Sequence, residues 1–256
     1  MNRINKLFAN KEKKNILSIY FTAGYPELDS TVKIAEALEK AGADFLEIGF
    51  PYSDPVADGP VIQHSSEEAL KNGMTLEVLF KQLAGLREKV QIPVLLMGYV
   101  NPVLQYGVER FCQDCEKVGI DGVIVPDLPL SEYEEFYQGT FAKHQLSNIF
   151  LVTPQTADDR IRKIDKLSTG FIYLLSSSAT TGKNLQISES VSEYFARIRE
   201  MNLNNPIVIG FGIHDKTTFD QTLNYADGAI VGSAFVRLLA EENFLEQILP
   251  FVQQFK

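Results

Sequence analysis

The chain has 256 residues, enough for one large domain or two average ones, and long enough to bury its core without a metal or disulfide staple. Hydrophobic residues make up 45 % and charged residues 22 %, an ordinary globular mix. Its net charge of −9, from 33 acidic against 24 basic residues, argues against a nucleic-acid footprint, which would be basic and clustered. It does not exclude an anionic ligand, because backbone N–H groups bind phosphate whatever the net charge.

The first fourteen residues are polar and charged, with no apolar region of a secretory signal. No stretch approaches the roughly 20 apolar residues of a membrane span, so a cytoplasmic enzyme is expected. A helix is predicted over residues 3–10. Short apolar, β-branched runs then alternate with amphipathic helices. Strands are predicted over 16–23, 45–49, 93–99, 122–125, 149–152, 171–175, 206–210 and 228–231. Helices are predicted over 30–41, 75–90, 108–118, 132–144, 159–167, 191–201 and 216–224, with a last one over 235–255 broken near Asn243 and Pro250. The strand runs are apolar without alternation, which suits strands buried on both faces of a parallel sheet. A doubly wound sheet also alternates in this way but rarely needs eight strands. The expected fold is therefore a single-domain (β/α)₈ TIM barrel over residues 1–256 with an extra N-terminal helix.

Cys112 and Cys115 form a Cys-x-x-Cys pair inside an amphipathic helical pattern. A structural zinc site needs four ligands, and no second Cys or His pair stands at suitable spacing. Ordinary reduced helix cysteines and no metal are expected. His64, His144 and His214 are too scattered for a metal triad and are read as surface or capping residues.

In such a barrel, function gathers where strands end. The run Phe45-Leu-Glu-Ile-Gly49 alternates so that Phe45, Glu47 and Gly49 share a face. Branched residues pack outward, so Glu47 points into the barrel mouth. A carboxylate there must be protonated, paired or solvated, and burial raises its pKa toward the range useful for acid–base work. Pairing with an Arg or Lys is the competing, structural reading. The next loop, Pro51-Tyr-Ser-Asp-Pro-Val-Ala-Asp-Gly-Pro60, is stiffened by prolines and carries Asp54 and Asp58, the latter eleven residues beyond Glu47. Two carboxylates facing one substrate from different elements can take different roles. Alternatively, Asp54 and Asp58 are only turn formers. Glycines close the seventh and eighth strands, in Gly210-Phe-Gly-Ile213 and Val231-Gly-Ser-Ala234, the second opening a helix. Their order and position match a barrel phosphate site near strands seven and eight. The small polar loop Ser176-Ser-Ser-Ala-Thr-Thr-Gly-Lys183 suits a lid or a phosphate loop.

The run Leu46-Glu-Ile-Gly-Phe-Pro-Tyr-Ser-Asp-Pro-Val-Ala-Asp-Gly-Pro60 closely resembles the signature of the tryptophan synthase alpha subunit family. The resemblance extends over nearly the whole chain, through Phe21-Thr-Ala-Gly-Tyr-Pro26, Leu96-Met-Gly-Tyr-Val-Asn-Pro102, Val125-Pro-Asp-Leu-Pro129, Tyr173-Leu-Leu-Ser176, Gly210-Phe-Gly-Ile213 and Val231-Gly-Ser233. It implies retro-aldol cleavage of indole-3-glycerol phosphate to indole and glyceraldehyde 3-phosphate. Glu47 would be the general acid–base, and Asp58 would pair with the indole N–H. The phosphate would lie on Gly182, Gly212, Gly232 and Ser233. The indole pocket would involve Tyr20, Leu96, Tyr99 and Phe211. Asp54 and Thr181 would serve the lid and communication between subunits. The resemblance further implies a beta-subunit partner in an alpha2-beta2 tetramer, with pyridoxal phosphate in that partner and no cofactor in this chain. The sixth loop departs from the common Ser-Arg-x-Gly-Val-Thr-Gly pattern at Ser177 and Ala179, while Thr181 and Gly182 are kept. Other phosphate-binding barrels, such as indole-glycerol-phosphate synthase and phosphoribosylanthranilate isomerase, share the phosphate glycines but not Glu47 followed by the Asp54 and Asp58 loop. A catalytically weak barrel kept as an activator of the beta subunit is disfavoured by the presence of both carboxylates.

Overall fold

The computed structural model describes residues 2–176 and 189–256. Its strands are β1 (Ile16–Thr22), β2 (Phe45–Gly49), β3 (Val94–Met97), β4 (Gly122–Ile124), β5 (Ser147–Val152), β6 (Ile172–Leu175), β7 (Ile207–Gly210) and β8 (Gly228–Val231). They pair in chain order, all parallel, and β8 returns to β1 to close an eight-stranded barrel. Each lies within or beside a predicted run, so the (β/α)₈ expectation holds.

The helices depart from expectation in ways that Gly and Pro explain. After α1 (Arg3–Ala9) and α2 (Thr31–Ala41), a helix α3 (Pro60–Lys71) starts with proline at its first position, where no N–H is required. His64 therefore lies on the exposed middle of α3 rather than opening it. The helix predicted over 75–90 is two pieces, α4 (Leu76–Leu83) and α5 (Leu86–Lys89), parted at Ala84-Gly85. An unforeseen helix α6 (Val100–Tyr106) precedes α7 (Val108–Val118), with Gly107 at a positive φ between them. The segment predicted over 132–144 is α8 (Leu130–Glu132), a π-helical turn (Tyr133–Tyr137) and α9 (Gln138–Lys143). Then follow α10 (Asp158–Leu167), α11 (Glu189–Glu200), α12 (Lys216–Leu223), α13 (Ser233–Leu238) and α14 (Phe244–Gln253). The last predicted helix does break near Asn243, but Pro250 lies inside α14 without ending it.

Side chains on the strands separate into two cores. Leu17, Ile19, Phe21, Leu46, Ile48, Leu96 and Val123 face outward and pack with the helices. Ile16, Phe45, Leu95, Ile124, Ile149, Phe171, Tyr173, Val208 and Ile230 face inward. At the N-terminal end of the barrel, α1 acts as a plug. Its Phe8 ring lies 6.2 Å from Phe45 and 5.7 Å from Phe171, which are themselves 5.4 Å apart.

The same end is tied by a device repeated on the even strands. The residue just before β2, Asp44, accepts the Leu17 N–H of β1 at 2.8 Å. Asp121, before β4, accepts the Val94 N–H of β3 at 3.0 Å, and Asp227, before β8, accepts the Ile207 N–H of β7 at 2.8 Å. Thr169, before β6, accepts the Asn148 N–H of β5 at 3.4 Å. Cations neutralise the two most buried of these aspartates. Asp44 pairs with Lys13 and Lys256, and Asp121 pairs with Arg3 and Arg87. Cys112 and Cys115 are buried free thiols on α7. His144, expected at the surface or at a cap, does end α9, but its ring is buried between Glu116 (Nδ1, 2.7 Å) and Glu109 (Nε2, 3.2 Å). The two carboxylates raise its pKa, Glu116 most.

Asp121 is 1 % exposed and also accepts the Arg3 N–H at 3.0 Å, which ties the plug to the barrel. Asp121→Ala would strand the Val94 N–H and the half-buried Arg87 guanidinium. It should cost about 3–5 kcal/mol in a denaturant titration, the range for removing one partner of a buried pair.

Candidate active site

The inner face of β2 carries Phe45, Glu47 and Gly49, and the register sets Glu47 between Tyr20 of β1 and Leu95 of β3. Glu47 has no exposed surface, and among the described residues neither carboxylate oxygen has a hydrogen-bond partner. Among the described residues no Arg or Lys pairs with it, so the structural alternative for Glu47 is not what the fold built. Burial pushes its pKa up to about 8, with the nearby Ser18 hydroxyl tempering the rise. At neutral pH Glu47 therefore holds its proton.

Two tyrosines share this environment. A Cβ placed on Gly49 would stand 2.2 Å from the Tyr20 hydroxyl, and one on Gly210 would stand 2.1 Å from that of Tyr173. Only glycine at these strand ends lets the two rings lie across the mouth. Burial raises both phenol pKa values, and the charges of Glu47 and Asp58 raise them further. These tyrosines thus lie within electrostatic reach of both carboxylates.

Asp58 approaches from the loop between β2 and α3. Its Oδ2 accepts a hydrogen bond from the Tyr99 hydroxyl at 3.0 Å, and the same hydroxyl accepts the Ala57 N–H at 3.0 Å. The Asp58 carbonyl accepts from Gln63 Nε2 at 2.8 Å. Burial raises the Asp58 pKa and the Tyr99 bond lowers it. Asp54 is exposed, accepts from the Ser53 hydroxyl and lies off the cavity wall.

Tyr20, Asp58, Tyr173, Phe211, Gly212, Gly232 and Ser233 line one cleft that opens to solvent. Tyr99 lines an adjoining recess with Tyr20, Asp58, Met97 and Phe211. Glu47 is not on the wall itself. The glycine end is shaped by two successive left-handed residues, Phe211 (φ 75°) and Gly212 (φ 78°), and Ser176 donates to the Phe211 carbonyl at 2.9 Å. Gly232 precedes α13, whose first N–H groups have no intrahelical acceptor.

Leu96 requires a correction. It lies in the outer core with Leu46 and Ile48, and Met97 takes the place on the cavity wall. The pairing of Glu47 with Leu95 makes Leu95 and Met97 the inward pair, so period-two alternation already carried this signal. His214, expected at the surface, lines the cleft and its Nδ1 donates to the Gly212 carbonyl at 2.9 Å. Arg237 and Ile230, not singled out in the sequence, line it too. Thr181 and Gly182 lie outside the described residues. Among the described residues no cluster of three or more His, Cys, Asp or Glu is placed to hold a metal, and no helix is long and apolar enough to cross a membrane.

The profile of the family described as tryptophan synthase alpha chain matches residues 8–255. The tryptophan synthase alpha chain of Flavobacterium psychrophilum is 56 % identical over 254 residues, covering 99 % of each chain. The structure of tryptophan synthase subunit alpha from Legionella pneumophila is 34 % identical with a TM-score of 0.89, over 100 % of this chain and 97 % of that one. A chain of the tryptophan synthase complex from Pyrococcus furiosus is 32 % identical with a TM-score of 0.86, over 95 % of this chain and 98 % of that one.

The buried Glu47 makes stability depend on pH. Its folded pKa, about 8, lies above its ordinary 4.5, so the folded chain holds a proton that the unfolded chain releases between those values. Stability is fully present below about pH 4.5 and is lost as pH rises to about 8, by up to about 5 kcal/mol at 1.36 kcal/mol per unit. Glu47→Gln removes that loss. Its denaturation midpoint should exceed the wild-type value near pH 9, and the gain should shrink toward pH 5. A gain independent of pH would contradict the burial argument.

Proposed function

The chain belongs to the tryptophan synthase alpha chain family, and on that premise we propose that Glu47 and Asp58 divide the work of its lyase reaction. That reaction cleaves indole-3-glycerol phosphate to indole and glyceraldehyde 3-phosphate in tryptophan biosynthesis. The observation that carries this reading is a carboxyl group with no exposure and, among the described residues, no hydrogen bond, protonated at neutral pH, beside a cleft walled by a second carboxylate.

Glu47 is the general acid. A rotation about its side-chain torsions carries the carboxyl to the cleft, where it protonates indole C3 and leaves the ring nitrogen positive. Asp58, facing the indole N–H, stabilises that charge through a low-dielectric site where such an interaction is strong. The Glu47 carboxylate then takes the proton of the glyceryl hydroxyl. The carbon–carbon bond breaks, its electron pair returns to the indole ring, and the former carbinol becomes the aldehyde. Tyr20, Tyr99 and Phe211 supply flat walls for the indole, with Met97 in the position first given to Leu96. Gly212, Gly232 and Ser233 hold the phosphate through backbone N–H groups, joined by Gly182 of the sixth loop. The chemistry is acid–base only, so pyridoxal phosphate belongs to the beta subunit, with which the chain forms the alpha2-beta2 complex.

Large apolar residues are exposed on three successive strand-end segments: Val56 at 79 %, Leu104 at 48 % and Phe136 at 57 %. They lie on the chain segments that follow β2, β3 and β4, the first of which also carries Asp54, and we assign these segments to contact with the beta subunit. The buried free thiols fit the reducing cytoplasm.

Glu47→Gln should fold yet lose at least about 100-fold in indole release, since a positioned acid–base group is typically worth 10²–10⁴. Retention of more than roughly a tenth of the activity would remove Glu47 from this role. Adding a cognate beta subunit should raise cleavage at least about tenfold, or about 1.4 kcal/mol. Asp54→Ala should reduce that activation more than the basal rate, because Asp54 is exposed and off the cleft wall. Equal loss of both rates would place Asp54 in the chemistry instead.

A further inference from the structure

The geometry around Asp58 assigns Tyr99 a role beyond that of a pocket wall. We propose that Tyr99 is a positioning residue whose hydroxyl fixes the Asp58 carboxylate in its ionised, substrate-facing state. This rests on the functional reading above and concerns a different residue.

The Tyr99 hydroxyl has a single proton to donate. The Ala57 N–H already occupies one of its lone pairs at 3.0 Å. The hydroxyl proton is then directed at Asp58 Oδ2, also at 3.0 Å. This bond needs an acceptor oxygen, so it favours the carboxylate over a carboxyl group whose proton sits on Oδ2. It occupies Oδ2 and leaves Oδ1 for the N–H of a bound indole. The two bonds clamp consecutive residues of the Pro51-to-Pro60 loop to the end of β3. The loop's catalytic carboxylate is thereby referred to the barrel frame and not to its own backbone.

The surroundings offer little other help. Tyr20 on β1, Glu47 on β2 and Tyr173 on β6 face the same space, and each is neutral or becomes negative on titration. Asp127, after β4, lies near Tyr99 and adds negative charge. His214 and Arg237 line the cleft from the β7 and β8 side, and neither hydrogen-bonds Asp58. Burial raises the Asp58 pKa, and among the described residues the Tyr99 hydroxyl is the group that opposes it. The ring itself is also held by a tilted contact with the Tyr52 ring, 5.4 Å between centroids. Removing the hydroxyl alone should leave the wall in place.

Tyr99→Phe tests this on the full chain. In a carbon-13 carboxyl titration, the Asp58 midpoint should rise by about one unit, a tenfold loss of acidity. The kcat for indole release should fall about tenfold, KM should stay within about twofold, and the acid limb of the kcat profile should move up in step. On an Asp58→Asn background the same substitution should add no further loss, as expected for residues acting as a unit. An unmoved Asp58 titration, or a rise in KM at constant kcat, would overturn the proposal and leave Tyr99 a wall. The titration needs no turnover. A wild-type chain that released no indole, alone or with the beta subunit, would overturn the functional reading while the titration still decided the role of Tyr99.

Discussion

A closed parallel barrel allows every second strand residue only one destination, its interior. Glu47 occupies such a position, with no exposed surface and, among the described residues, no hydrogen-bond partner. An ionised carboxylate there would be far more costly than a neutral one, so the fold holds the proton in place. The rest of the mouth follows from this constraint. Tyr20 and Tyr173 close the space over strand-end glycines, and only because Gly49 and Gly210 lack a Cβ do their rings fit. The enclosure that raises the pKa is thus made by the walls of the proposed indole site. Stability given up at neutral and higher pH is the counterpart of a group able to donate a proton there.

The two ends of the barrel use the same residue type for opposite purposes. At the N-terminal end, Asp44, Asp121 and Asp227 each accept a neighbouring strand's N–H, and the first two are further neutralised by cations. Thr169 does the same work without charge. With the aromatic plug of α1, these bonds fix the strand register where no chemistry occurs. At the C-terminal end, Asp58 and Glu47 have no ion pair among the described residues, so no cation fixes the ionisation of either. A rigid base carrying an unsatisfied rim is what a preorganised site requires.

The barrel was legible in the sequence because eight apolar runs recur with helical segments between them, and both inward and outward strand faces are apolar. Glu47 was legible because it breaks that rule at an inward position. The family pattern does not tell the two faces of β3 apart at Leu96, whereas the β2–β3 register places its neighbours Leu95 and Met97 inside. Helix α6 was missed because it is short and contains Pro102 in its first turn, a position proline tolerates. The split at Ala84-Gly85 was hidden by an apolar periodicity that runs across it. The roles of Gly49 and Gly210 were not legible at all. Each depends on a tyrosine whose ring crosses from another strand, and linear sequence holds no signal for that contact.

Glu47 and Asp58 show why two carboxylates in one enclosure need not behave alike. Glu47 belongs to a strand and cannot move with a loop, and burial dominates over the nearby Ser18 hydroxyl that tempers it. Asp58 is carried on a loop, is partly accessible and receives a hydroxyl proton from Tyr99, so burial is opposed. The proposed retro-aldol step needs this asymmetry: one group that begins with a proton and one that begins with a charge. Equal environments would leave both neutral or both ionised, and neither state could protonate carbon and stabilise the resulting cation together. The site therefore separates the carboxylates by the element that carries each of them. The strand fixes the acid, and the loop, which also borders the exposed apolar surface around Val56, carries the counter-charge. A partner bound on that surface would act first on Asp58 and only through it on Glu47, so the partner's control would fall on the group that stabilises the cation and leave the proton donor set by the barrel.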